Sequence, residues 1–149
     1  MTSSLKPARA KARGSARALM LRAMDANANR LREGLRVAED LARFVIEDAA
    51  CARRLKALRH RATACMRQLG LGAELLASRD SAGDLGRKSF PRAERERAAL
   101  ADLLAANLHR SQEAARVLEE LGKPFSPRAA QGFKAIRYAV YDLERELLA

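Results

Sequence analysis

At 149 residues the chain is one domain of ordinary size, able to bury a core without disulfides or a structural metal. Apolar residues make up 48% of it and aromatics only 4%, a balance that suits Ala/Leu-rich helices in close contact, and no stretch reaches the roughly 20 uninterrupted apolar residues of a membrane span. The net charge of +11 resembles that of a nucleic-acid binder until it is located: Lys6, Arg9, Lys11, Arg13, Arg17 and Arg22 all precede the first acidic residue, Asp25, so more than half of the excess lies at the N-terminus.

Residues 1–18 therefore read as a basic, disordered, solubilising tail ahead of a single helical domain, 19–149. Nonspecific nucleic-acid binding and a transit peptide are the other readings of this segment. No signal-peptide hydrophobic region follows it, and a soluble, cytoplasmic protein is expected. The first helix is predicted from Ser15 or Asp25 to about Ile46, and the second from Asp48 to Leu69, ending at Gly70 and Gly72. A short helical turn, Glu74 to Ala77, leads into a linker, Ser78 to Arg87, that is too rich in Gly, Ser and Asp to be a mere connection. A further long helix is predicted from near Pro91 to Leu121, stopping at Gly122 before Pro124, and a last one from the Ser126 cap and Pro127 almost to the C-terminus. Nothing alternates with a period of two, so no sheet is predicted. Cys51 and Cys65 lack the close Cys or His partners of a zinc site and read as buried free thiols.

The chain repeats itself. Asn27, Arg30, Glu33, Arg36, Val37, Glu39 and Leu41 recur as Asn107, Arg110, Glu113, Arg116, Val117, Glu119 and Leu121, and Leu55 to His60 resembles Phe133 to Tyr138. The simplest construction is an all-α antiparallel bundle of two pseudo-symmetric helical hairpins. With Val37, Leu41 and Phe44 taken as the core face of the first helix, Arg30 and Glu33 fall on that face and Asn27 on its border; Arg110 and Glu113 repeat the conflict. Arg59 and Arg137 lie inside the apolar stripes of the second helix of each hairpin. Eight polar side chains are thus expected to converge: Asn27, Arg30, Glu33 and Arg59 with Asn107, Arg110, Glu113 and Arg137. Arg36, Glu39, Arg116 and Glu119 fall away from that face and read as surface pairs.

The chain has no P-loop, kinase Asp-Phe-Gly or dinucleotide glycine motif, so a phosphate site would have to be assembled from side chains and the Gly83/Gly86 linker. Arg supplies bidentate phosphate contacts, and Asp80, Asp84, Glu33 and Glu113 are oxygen donors suited to Mg²⁺. The competing structural reading of the Arg and Glu residues is a pair of buried ion-pair networks that fix helix register. His60 and His109 read as surface or helix-flank residues.

Five segments carry a family resemblance: Asp25 to Phe44 (DANANRLREGLRVAEDLARF), Leu58-Arg59-His60, Ser78 to Gly86 (SRDSAGDLG), the helix from Asn107 to Gly122, and Arg137 to Glu144 (RYAVYDLE). Together they closely resemble the helical domain found alone or fused N-terminal to thiamine-phosphate synthase in some bacteria, a family regarded as an alternative, non-ribokinase hydroxymethylpyrimidine-phosphate kinase. The resemblance implies ATP-dependent phosphorylation of 4-amino-5-hydroxymethyl-2-methylpyrimidine phosphate in thiamine biosynthesis, with Mg²⁺ as cofactor. On that reading Arg30, Arg59, Arg110 and Arg137 surround phosphate groups. Glu33 and Glu113 orient substrate or metal, Asn27 and Asn107 hydrogen-bond to substrate, and Arg79, Asp80 and Asp84 close over nucleotide and metal. The alternative class is a noncatalytic helical module that binds substrate or docks onto thiamine-phosphate synthase. A third is a nucleic-acid-binding bundle, which the dearth of interleaved aromatics disfavours. A homodimer is left open.

Overall fold

The computed structural model describes residues 15–91 and 99–149, which contain five helices and no strand. Helix α1 (Ala16–Asp40) runs on through a six-residue π-helical turn (Leu41–Ile46). It is followed by α2 (Ala49–Leu69), α3 (Gly72–Ser78), α4 (Leu100–Gly122) and α5 (Pro127–Leu148). The fold class is as the sequence implies. The tail expectation for residues 1–14 lies outside the described residues, but Ser15 to Ala18 form the cap and first turn of α1, with the Ser15 hydroxyl accepting from the Ala18 amide at 3.2 Å. Most of the start assigned to the third long helix, beginning near Pro91, also lies outside them; the described helix follows an extended Ala99.

Local chemistry sets the ends. Asp48 caps α2 by accepting from the Cys51 amide at 2.9 Å, and Ser126 caps α5 at 3.1 Å with Pro127 in the first turn, where its missing N–H is harmless. Gly70 closes α2 in the left-handed region at φ 67°. Glu47 holds the same kind of position after the π turn at φ 60°, where an L side chain is strained. Glu47→Gly should therefore stabilise the protein by about 0.5–1 kcal/mol in chemical denaturation, since relief of that strain outweighs the added chain entropy. An unchanged or lower midpoint would show that the Glu47 side chain has a stabilising role.

The bundle is two hairpins, α1 with α2 and α4 with α5. The core is built from Leu31, Leu35, Leu55, Leu104, Leu108, Leu118, Phe133, Ile136, Val140 and Leu143, all essentially inaccessible. Helices α1 and α4 cross where Gly34 faces Asn107 and Ser111, and the Ser111 hydroxyl lies 3.4 Å from the Leu31 carbonyl oxygen. Residues 31 and 111 are related by the same 80-residue offset as the repeat, so this contact sits on the pseudo-twofold axis. Cys51 and Cys65 are buried free thiols, as expected.

The first hairpin corrects the sequence-based core face. The buried stripe of α1 is Leu21, Met24, Ala28, Leu31, Leu35, Ala38 and Ala42, whereas Val37 is 40% and Phe44 63% exposed. Arg30 and Glu33, and likewise Arg110 and Glu113, are therefore exposed, and Glu39 and Glu119 are the acidic residues that face inward, each 5% exposed. The physical reason is the choice of Ala, Gly and Ser at the crossing. Small residues let two backbones approach closely, so the inward face is marked by Gly34, Ala38, Ser111, Ala114 and Ala115 rather than by the bulkiest side chains.

Candidate functional site

Burying Glu39 and Glu119 requires partners, and the second helix of each hairpin provides them. The Arg59 Nε donates to Glu39 at 2.8 Å, and the Arg137 Nη2 donates to Glu119 at 2.8 Å. The two pairs occupy equivalent places in the repeat, and each links the two helices of one hairpin through Glu39 or Glu119, where the sequence reading had placed Glu33 and Glu113. Burial by itself raises the Glu119 carboxyl, but the Arg137 hydrogen bond and charge, aided by Arg116, outweigh it and hold the group below its ordinary value near 4.5. A carboxylate whose folded value is depressed contributes its full stabilisation above the unfolded value and loses it as pH falls through the folded one. Thermal midpoints should thus be flat from pH 7 to about 5 and fall below about 4.5, and Glu119→Gln should start lower and decline less steeply. Parallel profiles for the two proteins would show that this pair does not titrate as described.

The expected convergence of eight polar residues does not occur. Asn27, Arg30 and Glu33 line a cavity of about 530 Å³ between the outer face of α1 and the linker, together with Arg79, Asp80 and Asp84. Arg59 and Arg137 are withdrawn into their ion pairs, and Arg110, Glu113 and Asn107 lie on the other hairpin, away from the cavity lining. The Asn27 and Asn107 side-chain amides each donate at 2.8 Å to the carbonyl four residues earlier, a matched pair of intrahelical bonds, and neither side-chain oxygen accepts a hydrogen bond from the described residues.

The linker is anchored to α1. Arg79 donates through Nε and Nη2 to the Asp25 carboxylate at 2.7 and 2.9 Å, a bidentate pair whose acidic member is almost fully buried. The hydrogen bonds to Asp25 hold the Arg79 guanidinium above its usual range. Arg22 reaches the Asp80 carbonyl at 3.1 Å and its carboxylate at 3.6 Å. Asp80 and Asp84 also accept from the Gly83 and Gly86 amides, both at 2.8 Å, so each shapes its own turn. Among the described residues no group of three or more His, Cys, Asp or Glu side chains gathers where it could hold a metal ion.

The sequence reading missed Asp25, Arg22 and Asn29, which also line the cavity. Asp25 had a signal: it follows Met24 and precedes Ala28, a carboxylate at the edge of the true inward stripe. With the linker pair satisfied, Arg30 and Glu33 are the charged groups of the α1 wall for which no ion pair forms among the described residues. The cleft can hold a small polar ligand by hydrogen bonds from both walls. No described helix is long and apolar enough to cross a membrane.

Comparison with known proteins gives this cleft its context. Residues 22–146 match the model of the ThiD2 family. The chain is 42% identical over 128 residues to a thiamine-phosphate synthase of Rhodopirellula baltica, covering 86% of this chain and 34% of the relative. It is 40% identical over 130 residues to one of Nostoc sp. (87% and 36%) and 43% identical over 127 residues to one of Synechocystis sp. (85% and 36%). The chain therefore spans about a third of the length of the curated relatives it matches. No solved structure matches. These relatives overturn the expectation of a hydroxymethylpyrimidine-phosphate kinase that binds ATP, because the proteins that share the domain at about 40% identity are named for the synthase and not for a kinase. The match over nearly the whole helical bundle places the chain in the ThiD2 family, the helical domain of thiamine-phosphate synthase homologues.

Proposed function

We propose that the chain is a noncatalytic helical module that docks onto thiamine-phosphate synthase and holds a phosphorylated small-molecule substrate for it. The observation that carries this reading is that sequence similar to this chain makes up about a third of each synthase relative. Two features of the surface support it. The cleft under the linker presents Arg30, with Asn27 beside it, to an anionic ligand. The π turn that follows α1 leaves Phe44, Val45 and Ile46 exposed in succession, an apolar run of the kind that protein partners cover.

Calorimetric titration of the pyrimidine phosphate into the purified protein, with ADP release followed in parallel samples containing ATP, tests the ligand half of the proposal. Saturable binding that weakens about tenfold or more in Arg30→Gln, without ADP release, is the expected result. Turnover of ATP would overturn the noncatalytic reading, and equal affinity in Arg30→Gln would remove the cleft from it.

A further inference from the structure

On the far side of the Arg79–Asp25 pair lies a second cavity, of about 400 Å³, whose walls come from α1, α2 and α3. Its floor is apolar, built from Ala28, Met66, Leu75 and Leu76, and Arg32 and Arg67 stand at its rim. Neither guanidinium forms an ion pair or hydrogen bond with another side chain among the described residues, and both residues are exposed. The site is of small-molecule size.

The internal repeat shows what this cavity lacks. The offset of 80 carries Asn29 and Arg32 onto His109 and Gln112, and the offset of 78 carries Met66 onto Glu144. In the second hairpin those three counterparts bond to one another: His109 and Gln112 both contact the Glu144 carboxylate, the latter donating at 2.6 Å. A carboxylate thus sits between the two helices and satisfies the α4 side chains. In the first hairpin Met66 replaces it, and the carboxylate in the lining, Asp25, is already held by Arg79, so Arg32 stands over an apolar floor with no acidic partner among the described residues.

We propose that this cavity binds a small amphiphilic anion, with its acidic head between Arg32 and Arg67 and a compact apolar body on Met66, Leu75 and Leu76. Two guanidiniums with no ion pair among the described residues match a phosphate monoester, which carries close to two negative charges at neutral pH, better than a carboxylate, which carries one. The inference does not depend on the synthase partnership, because the site is complete within this chain.

Calorimetry with phenyl phosphate, benzoate, inorganic phosphate and benzyl alcohol tests it on the full chain. Phenyl phosphate should bind at one equivalent and at least tenfold more tightly than inorganic phosphate or benzyl alcohol, with benzoate between. Arg32→Gln and Arg67→Gln should each weaken it at least tenfold without moving the melting temperature, and Lys134→Gln, an exposed position on α5 outside both cavities, should leave it unchanged. Met66→Glu should abolish binding by restoring the carboxylate that the second hairpin carries. Unaltered phenyl phosphate affinity in the Arg32→Gln/Arg67→Gln double variant, affinity no better than that of inorganic phosphate, or no binding at all would overturn the proposal. The exposed arginine variants decide it even where Met66→Glu fails to fold. Tighter binding of benzoate than of phenyl phosphate would overturn the charge match.

Discussion

Glu119→Ala should lower the unfolding free energy by roughly 3–5 kcal/mol, the cost of leaving a buried guanidinium without its carboxylate. The Arg137 side chain is 12% exposed and that of Glu119 7%, so solvent cannot replace the lost partner. Glu39→Ala should cost somewhat less, because Arg59 retains 20% of its side-chain exposure and can turn toward water. Glu33→Ala should change stability by less than about 0.5 kcal/mol, since that residue lies on the outer face. Denaturant melts of the three variants check the order. A Glu33→Ala loss comparable to that of Glu119→Ala would restore the face on which Arg30 and Glu33 point inward.

Gly34→Ala should reverse the usual sign of a helical glycine replacement. At an open helix position the change gains about 1 kcal/mol in propensity. Here the new Cβ would lie 2.4 Å from the Ser111 hydroxyl oxygen and 2.8 Å from the Asn107 carbonyl oxygen, and the carbonyl belongs to the backbone of α4 and cannot rotate aside. The helices must separate at the pseudo-twofold axis, at a cost of about 1–3 kcal/mol beyond the propensity gain. Ser111→Ala in the same chain should recover only part of the loss, because the Asn107 contact remains. Thermal melts of both variants measure this, and a stabilised Gly34→Ala would show that the crossing has slack.

The repeat made the topology legible. Two copies of one hairpin, offset by 80 and 78 residues, specify an all-α bundle with little help from propensity, and the caps at Asp48, Ser126 and Gly70 were readable because each residue type has one mechanical use at a helix end. The phase of α1 was not legible. Alanines at positions 16, 18, 23, 26, 28, 38 and 42 spread around the helix and give no single apolar arc, so the large side chains of Val37 and Phe44 looked like the core while Gly34 and Ala38 were doing the packing. That error hid the Glu39–Arg59 and Glu119–Arg137 pairs, whose glutamates looked like surface residues. The Gly- and Asp-rich composition marks Ser78 to Arg87 as more than a connection, since such a segment has no packing task of its own, but it does not show that Arg79, Asp80 and Asp84 line a cavity against α1. Its anchor, Asp25, lies 54 residues away in sequence, so its place beside Met24 marks a carboxylate at the edge of the inward stripe but the pairing with Arg79 emerges only from the fold.

Sedimentation velocity of this chain mixed with a thiamine-phosphate synthase that lacks the domain tests the proposed docking. A faster-sedimenting species containing both proteins is expected, diminished when Phe44→Asp places a charge on the exposed apolar run. Independent sedimentation of the two proteins at micromolar concentrations, unchanged by the phosphorylated substrate, would contradict it.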